Sequence, residues 1–131
     1  MNTASTTAAR GIGRATAYWI ITGAVVAECA IGGTMDLLHM SPFYPALIDL
    51  GYPSYLATIL GTAKLIAGVV VFAPRLPRLK EWAYAGILIN MAGAGASYVA
   101  TGRSLTNLIP PAVIAALALL SWALRPRTRR L

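Results

Sequence analysis

Residues 53–74 read PSYLATILGTAKLIAGVVVFAP: twenty residues between two prolines, nearly all apolar or small, with Lys64 the eleventh of them. At about 1.5 Å per residue a helix of this length crosses the roughly 30 Å hydrocarbon core of a bilayer. The lysine then lies at the depth where an ammonium is least welcome. Insertion costs about 2.5–3.5 kcal/mol there, against a gain of about 0.3–0.6 kcal/mol for each Leu, Ile or Val. Its compensation has to come from elsewhere in the chain.

The rest of the sequence is of the same kind. Of 131 residues, 57% are hydrophobic and only 11% charged, where a soluble domain carries about 25% charged residues. Three more apolar stretches, YWIITGAVVAECAIGGTMDLL, WAYAGILINMAGAGASYVA and LIPPAVIAALALLSWAL, bring the expected spans to four, at about 17–37, 54–73, 82–100 and 108–124. Short gaps leave nothing for a soluble domain, and backbone polar groups in lipid must be satisfied within each segment. The expectation is a single all-α transmembrane domain over 1–131, an up-down-up-down four-helix bundle with a basic tail at 125–131.

The net charge of +7 is placed asymmetrically. Arg10 and Arg14 precede the first span, Arg75, Arg78 and Lys80 fill the second loop, and Arg125, Arg127, Arg129 and Arg130 form the tail; the first loop has no Lys or Arg and the third only Arg103. The positive-inside rule therefore expects both termini in the cytoplasm, in a multi-pass protein of the inner (cytoplasmic) membrane. The tail reads as an anchor on anionic lipid, not a nucleic-acid patch. In VVAEC, Glu28 stands where a lipoprotein signal needs a small residue, and the first span exceeds the about 7–15 apolar residues of a signal peptide, so it is expected to stay in the membrane. A single cysteine, Cys29, excludes an internal disulfide and reads as packing. One histidine, His39, makes no multi-histidine metal site within the chain. The GxG at Gly11 and Gly13 follows no strand and lacks a third glycine in register, so a nucleotide loop fails.

Counting along the helices puts Glu28, Lys64 and Asn90 at one level near the bilayer centre. Glu28 on the neighbouring helix is the expected partner of Lys64, with Asn90 placed to bridge them. At 100° per residue Gly32, Met35 and His39 lie within about 40° of Glu28 and Asp36 about 80° away, one stripe expected to face inward. On the second helix Gly61 and Gly68 flank Lys64; on the third, Gly86, Gly93, Ala94, Ser97 and Thr101 share the face of Asn90. Small residues at this spacing let backbones approach or leave room for a ligand. The last helix, with only Ser121 polar well inside it, reads as a wall. Glu81 reads as a helix N-terminal acid among Arg75, Arg78 and Lys80. Trp19, Trp82 and Trp122 near span ends fit an aromatic belt. The loop HMSPFYPALIDLGYP is expected to pack over the bundle mouth.

GGTMDLLH, GYP, the GxxK of the second helix, PRLKEWAYAG and the GAxxS run make residues 30 to 122 resemble the DoxX-like proteins, small bacterial membrane proteins with four helices. The resemblance marks Lys64, Glu81, Tyr84, Gly86 and Ser97 as pattern positions. It implies a link to quinone chemistry, since the family's namesake is regarded as a membrane subunit in thiosulfate oxidation and other members are associated with redox defence. Many members of the family carry His after the serine; this chain has Tyr98, which weakens any metal, haem or proton-transfer role that relies on a histidine there.

The functional expectation is a lipophilic, quinone-like ligand at the midplane, held for a redox partner subunit or within a homo-oligomer. Glu28, Lys64 and Asp36 are the candidate chemical groups. Asn90, Ser97, Tyr84, Met35, His39 and Tyr98 are the candidate ligand contacts; Glu81, Gly86 and Gly93 are structural; no metal site and no covalent cofactor is expected. Sequence alone leaves open a stand-alone, cofactor-free enzyme doing isomerisation, cyclisation or epoxide opening, a proton-coupled solute carrier, and a pair that merely neutralises itself to fix helix register.

Overall fold

The computed structural model describes residues 3–41 and 43–126; Arg127, Arg129 and Arg130 of the tail and the side chain of Arg10 lie outside the described residues. Helix α1 covers Thr3–Leu37, α2 Phe43–Asp49, α3 Tyr55–Phe72, α4 Pro77–Ala100 and α5 Ile109–Ala123, with a 3-10 turn at Leu105–Leu108 and no strand among the described residues. The four long segments are apolar enough to cross a membrane: Gly11–Leu37, Tyr55–Phe72, Pro77–Ala100 and Leu105–Ala123. The last reaches bilayer length only by adding the 3-10 turn, about 8 Å, to the roughly 22 Å of α5. Prolines begin two of them, Pro77 in α4 and Pro110 and Pro111 in α5, where a missing amide donor costs little.

Each long helix packs on two others, closing a ring in the order α1, α3, α4, α5, and the α1–α3 seam is the most extensive. Glycine makes that seam. A Cβ on Gly61 would come 2.7 Å from the Gly33 carbonyl oxygen and one on Gly68 would come 3.1 Å from the Cys29 Cβ, so here the small residues serve close approach. On α4 the same residue type does the opposite: nothing lies within 4 Å of a Cβ built on Gly86 or Gly93. Most large apolar side chains, among them Ile66, Val69, Phe72, Trp82 and Ile89, point outward, as lipid-facing walls require. Hydroxyls of Thr34, Thr62, Ser97 and Thr101 bond carbonyls one turn back in their own helices, which satisfies them without water.

The end of the bundle at the α3–α4 loop departs from expectation at four residues. Arg75 and Leu76 adopt left-handed conformations with φ of 62° and 57°, at roughly 1–2 kcal/mol each. That turn brings Lys80 back under α3, where it is fully buried and donates to the carbonyls of Val70 at 2.5 Å, Val71 at 3.2 Å and Ala73. Lys80 thus caps the open end of a helix and is not a solvated loop charge. Glu81, expected to serve its own helix terminus, instead bonds Arg125 at 2.8 Å and Trp122 Nε1 at 3.0 Å. Arg125, expected to be a tail anchor, is only 4% exposed and stacks over the rings of Tyr84 and Trp122. Finally Ser121 is no feature of a blank wall: its hydroxyl joins Thr22 and Tyr84, each at 2.6 Å, tying α1, α4 and α5 together in the interior.

Candidate functional site: an ion triad between two cavities

Lys64 reaches inward from the middle of α3 and stands between two carboxylates of α1. Its Nζ is 3.2 Å from Asp36 Oδ2 and 3.7 Å from Glu28 Oε1. The side chains are 7% exposed for Asp36, 12% for Lys64 and 18% for Glu28. Two acids eight residues apart on one helix are separated by about 12 Å of rise, which the long lysine side chain bridges from the facing helix. Gly32 makes the arrangement possible: a Cβ there would lie 3.0 Å from Glu28 Oε1 and 3.4 Å from Lys64 Nζ. Among the described residues Glu28 Oε2 is buried without a hydrogen-bond partner. Depth counting brings Glu28 to Lys64; the closer carboxylate, Asp36, is the one that helical phase sets further off the stripe.

The triad is flanked by two cavities. The first, about 490 Å³, lies between α3 and α4 and is lined by Ala63, Ala67, Trp82 and Gly86 among others. The second, about 530 Å³, lies beneath α2 and is lined by Leu47, Tyr52, Gly93, Ser97, Tyr98 and Pro111 among others. Glu28, Lys64 and Asn90 line both. Asn90 therefore faces the same space as both charges. Tyr52 Oη and Ser97 Oγ are 2.5 Å apart, joining the segment after α2 to α4 in the wall of the second cavity. The Arg103 guanidinium donates to the Asp49 carbonyl at 3.2 Å, tying the end of α2 to the opposite loop.

Three expected ligand contacts are not at these cavities. Tyr84 is buried against α5 with its hydroxyl on Ser121; six residues from Asn90, it points about 120° away from that face. His39 lies beyond the end of α1 in a left-handed conformation with φ of 54°, exposed, its ring stacked on Tyr44 at 4.3 Å, so helical phase no longer applies to it. Met35 is half-buried and lines neither cavity. Gly86 and Gly93, expected to be structural, are cavity-lining positions. Among the described residues no group of three or more His, Cys, Asp or Glu side chains is placed to share a metal ion.

What sequence reasoning missed is the second polar cluster, built from Tyr84, Ser121, Thr22, Glu81 and Arg125. A signal existed in Thr22 and Ser121, which sit at similar depths near the same membrane end, Ser121 being the polar residue well inside its stretch. Lys80 carried no such signal, since its carbonyl acceptors come from the end of another helix.

Neither the comparison with curated proteins nor that with solved structures found a match. Over residues 20–121, which run from within α1 to within α5 and include every residue lining both cavities, the sequence matches the family described as DoxX-like, and the chain belongs to that family.

Proposed function

We propose that this chain is the membrane subunit of a redox-linked assembly in the cytoplasmic membrane, crossing it four times up and down with both termini inside, and that it holds a quinone-like lipophilic molecule beside Lys64. The observation that carries this reading is the position of Lys64 at the neck of two cavities of about 490 and 530 Å³, within the range of about 300–1,000 Å³ usual for small-molecule sites. An ammonium donates up to three hydrogen bonds and suits a carbonyl oxygen that gains negative charge on reduction. Electrons would come from a partner polypeptide, since the chain has one cysteine and one histidine. Mass spectrometry of the organic extract from detergent-purified protein tests it. A quinone or related prenylated molecule is expected with the parent and depleted in Lys64→Met; equal amounts from both would remove the reading.

A second reading has its own observation. The buried, unpartnered Glu28 Oε2 beside an ammonium is an arrangement for acid/base chemistry on a lipophilic substrate without a cofactor. Such an enzyme works alone, so purification without a second polypeptide, together with turnover of an epoxide or prenyl substrate abolished by Glu28→Gln, would favour it over the subunit.

A further inference from the structure

The two cavities share one stretch of wall, which includes Glu28, Lys64 and Asn90, and differ in chemistry on either side of it. Apart from the shared Glu28, Lys64 and Asn90, the cavity between α3 and α4 is walled by apolar residues, whereas the cavity beneath α2 adds Asp36, Tyr52, Ser97 and Tyr98. We propose that they are two subsites for one amphipathic ligand, with its polar head in the chamber beneath α2, a polar atom at Lys64, and its apolar tail along the α3–α4 groove. This rests on the ligand-site reading above and adds where each half of the molecule lies.

Three observations support the assignment. Adjacency is the first: Glu28, Leu60, Lys64, Ile89, Asn90 and Met91 line both cavities, so a molecule occupying both would pass the ammonium. The second is where the groove opens. Its rim carries Ile66, Ile89 and Trp82, which are 60%, 71% and 78% exposed, so it opens sideways through the apolar wall and the tail's free end enters the acyl chains. Third is the groove's depth, which comes from a missing side chain, since nothing lies within 4 Å of a Cβ built on Gly86. From Asn90 to Leu79 the groove follows about three turns of α4, room for a tail and not merely a substituent. The reverse orientation would put an apolar tail against Asp36, Ser97 and Tyr98 and strand the head's polar atoms at a lipid-facing rim, where unpaired polar groups are costly.

The full chain in lipid nanodiscs is labelled with two photoreactive decyl benzoquinones, one bearing a diazirine on the ring and one at the tail end, each competed with unlabelled decyl benzoquinone. Ring labelling is expected within residues 46–56 or 93–98 and tail labelling within 66–89, both lost on competition. Gly86→Leu is expected to lower labelling by the tailed probes about tenfold, the usual scale of overfilling a cavity, and to spare a tail-less ring probe; Gly93→Leu is expected to suppress both. Size-exclusion profiles confirm that each variant is folded. The assignment is overturned if ring and tail labels exchange places, if Gly86→Leu leaves the tailed probe unaffected, or if phospholipid competes as well as the quinone. Competable binding with the wrong map overturns the two-subsite assignment alone, whereas no competable labelling by any probe overturns the ligand reading with it.

Discussion

Lys64 shows how one residue's stability effect depends on its neighbours' charge. Removing a single partner from a buried ion cluster costs about 3–5 kcal/mol, whereas replacing the whole set with neutral groups of similar shape is often close to neutral. Lys64→Met is therefore expected to destabilise by that amount, because it leaves Asp36 and Glu28, at 3.2 and 3.7 Å from the lost ammonium, with no counter-charge there. The triple variant Lys64→Met, Glu28→Gln, Asp36→Asn should recover most of the loss. Unfolding titrations in mixed micelles check both; equal instability of single and triple variants would mean that lysine packing, not charge, is what matters. The Glu28–Lys64 proximity was legible in the sequence because depth is a matter of counting. Asp36 as the nearer partner was not, since a lysine side chain's reach along a seam depends on how closely the two backbones approach.

Among the helices, glycines of one type have opposite consequences. Gly61→Ala sets a methyl 2.7 Å from a backbone oxygen, which no rotamer relieves, so α1 and α3 must part at about 1–3 kcal/mol. Gly86→Ala meets open space and gains helix propensity of up to about 1 kcal/mol. Opposite signs in the same unfolding assay are expected; like signs would refute the division into seam glycines and cavity glycines. The end of α3 offers a separate test. Lys80→Met removes the donor to three carbonyls and should cost about 1.5–3 kcal/mol, the scale of charged hydrogen bonds. Faster amide exchange confined to the last turn of α3 and the 73–76 turn is expected, and unchanged exchange there would deny Lys80 its capping role. Helix positions followed from apolar runs and prolines. The cap did not, because it needs the left-handed Arg75–Leu76 turn, and that conformation has no glycine to announce it.

For the molecule in its membrane, orientation is the accessible test. Arg78 and Arg103 are both exposed, and the only cysteine, Cys29, is buried, so single cysteines at positions 78 and 103 can be labelled without background. An impermeant thiol reagent applied from outside is expected to reach Arg103→Cys and not Arg78→Cys; the reverse would overturn the charge-based orientation. The class of molecule and the level of its polar groups were already legible in the amino-acid order, for two physical reasons: lipid forces each apolar run of about twenty residues to satisfy its own backbone as a helix, and the fixed rise per residue converts position into depth. Which polar groups face a cavity and which face another helix was decided by packing. Asn90 and Ser97 came to line open space while Tyr84, on the same helix, was enclosed by α5. That sorting depends on the azimuth at which four helices meet and on where glycine lets them close or hold apart, quantities that arise only between segments.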